Sequence, residues 1–386
     1  MQRVILAGVN LNGDPEFEHS MEELQNLAQA CDMETVGRVI QNLSSMNNAF
    51  YLGTGKVEEV KMVAGQLEAD CVIFDNSLTP TQQRNLQQEL EVEVLDRTNL
   101  ILRIFESRAR TKEAKLQVES ANLQYMLPRL VGMREALSRQ GGGAGAGGGA
   151  GAGGGLANRG AGEKKLELDR RKIEKRLSDL RRELEEIEKE RCTREKQRRE
   201  SELPSVALVG YTNAGKSTLL NRFLDVSQGD EEKKVEEKDM LFATLDTTVR
   251  RISPGDNRDF LLSDTVGFIN KLPHTLVKAF RSTLAEACQA DLLLQVADFS
   301  DPHYREQIVV TEETLRELGA EKIPRIYVMN KADLVMEPQE LPKVVENKIY
   351  MSAKQGVGME ELLALIRKQV FAREVSCDML IPWQDG

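Results

Sequence analysis

The stretch Gly210-Tyr211-Thr212-Asn213-Ala214-Gly215-Lys216-Ser217-Thr218 satisfies the spacing Gly-x-x-x-x-Gly-Lys-Ser/Thr in full. It follows an apolar run and opens an apolar helical pattern, the context in which such a loop cradles phosphate. Glycine lets backbone N–H groups close around phosphate oxygens, and the helix N-terminus adds a positive field. Lys216 can neutralise β- and γ-phosphates, and the Ser217 hydroxyl can ligate magnesium. Forty-seven residues after Ser217, the tetrapeptide Asp264-Thr265-Val266-Gly267 ends another apolar run. Asp264 can hold magnesium through water, and the Gly267 amide can hydrogen-bond a γ-phosphate and so sense it. In Asn330-Lys331-Ala332-Asp333, the Asp333 carboxylate can accept both N1–H and N2–H of guanine, a donor pair that adenine lacks. Ser352-Ala353-Lys354 can contact the base from the other side. Each tetrapeptide alone is common by chance. Four in this order point to a guanine nucleotide and a magnesium cofactor.

These residues need a scaffold. Apolar runs at 205–210, 249–252, 260–264, 292–297, 325–330 and 348–351 predict strands, and amphipathic patterns at 216–224, 276–288, 304–318 and 359–371 predict helices. The alternation implies a doubly wound α/β domain over 201–371, whose ligands sit at strand C-termini, where the motifs fall. Residues 1–96 alternate in the same way, with strands expected at 4–9, 35–40, 71–74 and 92–95 and helices at 21–31, 57–67 and 81–90. They predict a smaller α/β domain with a mostly parallel sheet. The segment Tyr51–Glu59, YLGTGKVEE, looks like a second phosphate loop, but Phe50 stands where the first glycine belongs and Val57 replaces the Ser/Thr. A glycine turn capping a helix is the better reading.

Residues 97–200 read as two long helices, 101–137 with an interruption near Pro128, and 163–200. Leu166, Ile173, Leu177, Leu180, Leu184 and Ile187 follow a heptad seam, and Leu116, Leu123, Leu127 and Leu130 offer a matching stripe. Between them, 141–155 holds 11 glycines and 4 alanines. An antiparallel helical hairpin with a glycine tip is the simplest geometry, with a plain linker as the alternative. Arg129, Arg134, Arg139 and Arg159 flank the tip and are candidate polyanion contacts, or simply a solvated face.

Charge agrees with that asymmetry. The net charge of −10 divides into −10 over residues 1–100, +8 over 101–200 and −8 over 201–386. A basic middle between acidic flanks suits a polyanionic partner. The five cysteines are scattered, without CxxC or zinc spacing, which fits a reducing cytosol, and three histidines exclude a His-rich metal site. No apolar run approaches the ~20 residues of a membrane span.

With these residues in place, the 201–371 region resembles translation-factor-like GTPases. LFATLDTTVR (Leu241–Arg250) resembles switch I of the Obg–HflX group. There the segment Phe242-Ala243-Thr244-Leu245-Asp246 lies by the nucleotide, and Thr244 is the implied magnesium ligand, with Thr247 and Thr248 as competitors. Outside that domain, YLGTGKVEEV, FDNSLTPTQQRNL, EVLDRTNLIL, RARTKEAKLQVE, YMLPRLVG, LSRQGGG and LELDRR resemble the HflX family from about residue 2 to the end. The resemblance implies a cytoplasmic, magnesium-dependent GTPase, catalysing through Lys216, Thr244 and Gly267. It also implies binding to the large ribosomal subunit and ribosomal RNA, and separation of stalled or idle ribosomes. Some members are reported to use ATP as well. A monomer is expected. A GTP-dependent signalling switch and a general RNA-binding GTPase remain the alternatives.

Three departures stand out. GAGEKKLE from Gly160 replaces the GPGE(T) usual in the family, which loosens a turn. LIPWQDG at 380–386 resembles the start of a further small domain, so 372–386 reads as a short or truncated extension. Phe268 stands where Ras-like GTPases carry a water-orienting glutamine, which implies slow intrinsic hydrolysis. Asn213 occupies a position used for a potassium ion in related GTPases, or is a turn residue.

Overall fold

The computed structural model describes residues 1–142, 155–200, 203–227, 241–242, 248–255, 258–273, 276 and 285–372, with the backbone alone for 131–142, 155–165, 192, 194–200 and 285. The chain forms two compact units. The first comprises Met1–Gln197 with two later segments, Asp239–Asp246 and Asn270–Thr283, and the second comprises the remainder.

In the first unit, β1 (Gln2–Leu11), α1 (Phe17–Ala30), β2 (Met33–Leu43), α2 (Thr54–Gln66), β3 (Cys71–Phe74), α3 (Pro80–Leu90) and β4 (Glu93–Asp96) alternate as expected. All strand pairs are parallel, in the order β2-β1-β3-β4. The β3 run CVIF is buried throughout, as a strand covered on both faces must be. α3 starts on a full capping box between Thr79 and Gln82. YLGTGKVEE is a helix start: Gly53 caps α2, and its N–H donates to the Gln41 amide oxygen at 2.9 Å.

The helical stretch is broken elsewhere than expected. α4 (Arg97–Arg108) ends at Ala109, and α5 (Lys112–Gly142) continues straight through Pro128. The interruption comes from Thr111, whose hydroxyl accepts the Ala114 N–H at 3.1 Å and starts a new helix. On α6 (Gly155–Glu200), Leu177 and Leu180 are buried and Leu166, Ile173, Leu184 and Ile187 half-buried, whereas the off-seam Leu168 is exposed. α5 and α6 meet through Arg176, which forks onto Glu119 at 2.6 and 2.7 Å.

Charged groups at the strand ends of this unit bond to one another. Asp75 just past β3, Arg97 at the start of α4 and Glu23 on α1 are all buried. Arg97 bonds Asp75 at 2.9 Å and also Glu23. Ser20 bonds the same Asp75 carboxylate at 2.9 and 3.0 Å, and so does Lys271 from the Asn270–Thr283 segment. Burial pushes the Asp75 carboxyl upward, but Arg97 and Lys271 outweigh it and hold it below the usual carboxylate range.

The second unit is a seven-stranded sheet built of β5 (Ser205–Gly210), β6 (Thr248–Ile252), β7 (Phe260–Asp264), β8 (Leu292–Asp298), β9 (Arg325–Asn330), β10 (Lys343–Val345) and β11 (Lys348–Tyr350). Its order is β10-β11-β9-β8-β5-β7-β6, with both edge strands antiparallel to their neighbours. The helices are α7 (Lys216–Val226), α8 (Ala285–Gln289), α9 (Tyr304–Glu317) and α10 (Met359–Val370). The edge strand β10 was not foreseen. It is three exposed residues, too short for a periodic signal. The core packs Val206, Leu208, Leu294, Val296 and Val328 of the central strands against Leu219, Leu220, Phe223, Leu362 and Ile366 of the helices.

Candidate functional site

The phosphate loop joins the C-terminal end of β5 to the first turn of α7. Gly215 caps α7 at φ +93°, and a Cβ there would stand 2.2 Å from the Asn330 amide, so both backbone and space require glycine. Lys216 is buried. Its ammonium donates to the carbonyls of Gly210 at 3.0 Å and Tyr211 at 2.7 Å. Burial pulls its pKa down to about 8, against a smaller upward pull from Asp264. The cation thus sits where incoming phosphate charge would relieve its desolvation. Thr212 Oγ1 is also buried here and makes no hydrogen bond among the described residues. Asn213 takes a left-handed turn at φ 60° and is exposed, as the turn reading requires. Ala214 is buried, and Thr218 lies in the first turn of α7.

The Asp264-Thr265-Val266-Gly267 segment leaves β7 beside this loop. A Cβ on Gly267 would meet the Thr212 side chain and backbone at 2.8 Å and the Lys216 ammonium at 3.0 Å. Only glycine lets this backbone come so close to the phosphate loop. Thr265 is buried and donates to the Leu208 carbonyl at 2.6 Å, and Val266 is buried. Phe268 pairs its backbone with the loop: its carbonyl accepts the Thr212 N–H at 2.8 Å and its N–H donates to Gly210 at 3.1 Å. Its ring is buried, so it offers no group to a water molecule.

Asp264 is fully buried, and the Ser217 hydroxyl lies 3.0 Å from its carboxylate. Thr248 stands opposite Asp264 in the β6–β7 register, with its hydroxyl buried and making no hydrogen bond among the described residues. Hard oxygen donors of this kind fit magnesium. Among the described residues no cluster of three or more acidic, histidine or cysteine side chains could hold a metal by itself. The ion would therefore rely on phosphate oxygens for the rest of its shell. Ala243, Thr244, Leu245, Asp246 and Thr247 lie outside the described residues. Phe242 is described, within the first unit, where its ring meets Phe105 edge-on at 4.7 Å.

The base side is tied to the phosphate side by one amide. Asn330 Nδ2 donates to Ala214 at 2.9 Å, and its Oδ1 accepts the Ala353 N–H at 2.9 Å. Lys331 is left-handed at φ 59° and bonds Asp298 at 2.7 Å. Ala332 is buried, and Asp333 is half-buried. Ser352 is buried, and its hydroxyl accepts the Gln355 N–H at 3.2 Å. Two contributors escaped sequence reasoning. Gln355 donates its side-chain amide to Asp333 at 3.0 Å. Arg222 on α7 donates Nε–H to the Ala353 carbonyl at 2.9 Å and Nη2–H to the Lys354 carbonyl. No local signal announces a contact 131 residues away.

The arginines near the glycine tract divide. Arg129 is committed inside the first unit: its guanidinium bonds Gln83 at 2.6 Å, and Leu78 and Asp96 at 3.1 Å each. Asp96 is fully buried and also accepts from Leu78 N–H, Asn99 N–H and Tyr125 O–H at 2.8–2.9 Å. Arg129 neutralises that carboxylate, and so serves the fold rather than a phosphate. The side chains of Arg134, Arg139 and Arg159, and most of the 141–155 tract, lie outside the described residues.

Comparison with known proteins decides the family. Residues 18–106 match the family described as GTP-binding GTPase N-terminal, 108–198 the GTP-binding GTPase middle region, and 205–331 the 50S ribosome-binding GTPase. The chain is 45% identical over 383 residues to GTPase HflX of Caldanaerobacter subterraneus subsp. tengcongensis, across 99% of this chain and 84% of that protein. The chain belongs to the HflX family. HflX of Lacrimispora saccharolytica is 42% identical across all of this chain and 87% of that protein, and Escherichia coli HflX 38% across all of this chain and 87% of that protein. HflX membership makes this chain a GTP-hydrolysing enzyme. No helix among the described residues is long and apolar enough to cross a membrane.

Proposed function

We propose that this chain is a cytoplasmic, monomeric GTPase that binds the large ribosomal subunit through ribosomal RNA and separates stalled or idle ribosomes. One observation carries the reading: the phosphate-side residues Gly210–Thr218 and Asp264–Gly267 lie in a stretch, 205–331, matching a family described as 50S ribosome-binding, within a chain akin to HflX over 99% of its length. The +8 charge of residues 101–200 supports a polyanionic partner. In this reading 1–96, 97–200 and 201–371 are the functional modules.

The site's own residues divide the work. Lys216 holds the β- and γ-phosphates, Gly267 N–H registers the γ-phosphate, and Asp333 with Ser352, Ala353 and Lys354 reads guanine. Ser217, Asp264 and one threonine of the switch segment (Thr244, or Thr247 or Thr248) would hold magnesium, which when bound neutralises charge developing on the phosphates. With Phe268 buried, no side chain at that position orients the attacking water, and basal turnover is slow until the ribosome completes the site. A potassium ion beside Asn213 would add charge at the phosphates, and replacing potassium by sodium tests it. Arg134, Arg139 and Arg159 meet RNA phosphate beside the 141–155 tract.

Co-sedimentation with purified large subunits is the test. Binding with a non-hydrolysable GTP analogue and weaker binding with GDP are expected. GTP-dependent self-association without subunit binding would instead support a signalling switch, and equal binding to any structured RNA a general RNA-binding GTPase.

A further inference from the structure

Arg222 lies six residues after Lys216 on α7, and its guanidinium holds two successive carbonyls, those of Ala353 and Lys354. Its third nitrogen bonds Asp225 at 3.3 Å on the exposed side. A surface ion pair of that kind contributes little alone. The carbonyl contacts are different, because they fix a peptide orientation. In a trans peptide the N–H points opposite the C=O. With the carbonyls of Ala353 and Lys354 drawn toward α7, the N–H groups of Lys354 and Gln355 are turned away from it. The Gln355 N–H then closes onto Ser352 Oγ at 3.2 Å, and the Gln355 side chain reaches Asp333 at 3.0 Å. A carboxylate offers about four lone-pair sites, so Gln355 leaves Asp333 free to accept a base while fixing its plane. One path of contacts therefore runs from the phosphate-loop helix through Arg222 and the 352–355 loop to Asp333.

We infer that Arg222 is a positioning residue for guanine recognition. It sets the Ser352–Lys354 loop and, through Gln355, the Asp333 carboxylate, and it acts on the base rather than on the phosphates. The inference rests on the assignment of Asp333 to the base. A planar fork serves two adjacent carbonyls, whereas a lysine, as a point charge, serves one well.

The test measures dissociation of a fluorescent GDP analogue and steady-state GTP hydrolysis on the full chain. Arg222→Met is expected to speed dissociation and raise KM for GTP by ~10–100-fold, the span of one to two lost hydrogen bonds to a charged group. Turnover at saturating GTP should stay within about twofold. Arg222→Lys should fall between Met and wild type, and it reads the effect even if the Met variant folds poorly. A merely structural arginine would lower the melting temperature and leave dissociation unchanged well below it, and that result overturns the inference. So does a loss of kcat at unchanged KM. Asp333→Asn in the same assay should exchange guanine for xanthine preference. If it does while Arg222→Met binds normally, the base site stands and the Arg222 role falls. If Asp333→Asn keeps full guanine affinity, the base assignment and the inference both fall.

Discussion

Two sheets in this chain, one parallel and one parallel except at its edges, end their strands in charge and treat it in opposite ways. In the first unit, Asp75, Arg97, Glu23 and Ser20 bond one another, and Asp96 accepts from Arg129, Tyr125 and two backbone N–H groups. In the second, the Lys216 ammonium rests on its own loop's carbonyls, while the hydroxyls of Thr212 and Thr248 are buried and make no hydrogen bond among the described residues. The first arrangement pairs its charged groups with one another. The second rests a buried cation on backbone carbonyls, an arrangement suited to a ligand that brings negative charge and oxygen donors. The YLGTGK segment also caps a helix with a glycine, but Phe50 and Val57 stand where the phosphate-loop spacing places its first glycine and its Ser/Thr.

The comparison can be broken by substitution. The largest effect is expected at Arg97→Met, which takes from buried Asp75 and Glu23 the guanidinium they share and leaves Asp75 with Lys271 alone as its cation. Breaking such a pair costs about 3–5 kcal/mol, so urea unfolding should show that loss of stability. Unchanged stability would show that the cluster is not the paired network described.

Lys216→Ala comes next and should act on chemistry instead. Removing a contact to charge developing in the transition state costs about 2.7–4 kcal/mol, a 100–1000-fold fall in kcat. Phe268→Ala should cost far less, since the ring does no chemistry. A Phe268 variant as inactive as the Lys216 variant would contradict the site's division of roles.

The pH dependence of binding is smaller and sharper. With Lys216 lowered to about 8 in the free protein, bound phosphate should raise it again. The sign follows: affinity is complete below pH 8, and above it each binding event must take up a proton. GDP affinity should be flat from about pH 6.5 to 7.5 and weaken above 8 by up to about tenfold per unit, ~1.4 kcal/mol. A flat profile to pH 9.5 would mean that Lys216 is not desolvated. Smallest of all, Glu119→Gln should cost about 0.2–1 kcal/mol, because its bond to Arg176 on α6 is solvent-facing. A larger loss would make that ion pair central to the helical hairpin.

How much of this was legible in the chain depends on how local the signal is. β3, β5, β7 and β9 match their apolar runs residue for residue, because buried strands are bounded by abrupt polarity changes. The helix seam on α6 was legible from its spacing. The break at Ala109–Thr111 was not, because Thr111 caps by a single hydroxyl while Pro128 carries the louder signal yet is tolerated inside α5. The strand, loop and helix around Gly210–Thr218 were readable because their spacing is itself the signal. Arg129 read as a polyanion contact or a solvated face, and its bond to Asp96 was not foreseen because that partner is distant in sequence and announced by nothing nearby. Arg222 was invisible for the same reason.

We propose that a single site, built around Lys216, takes the nucleotide. Equilibrium binding of GDP with magnesium to the full chain and to Lys216→Ala tests it most directly. One nucleotide per chain in the wild type and none at comparable concentration in the variant is the predicted result. A second equivalent of GDP, or binding that survives Lys216→Ala, would contradict it.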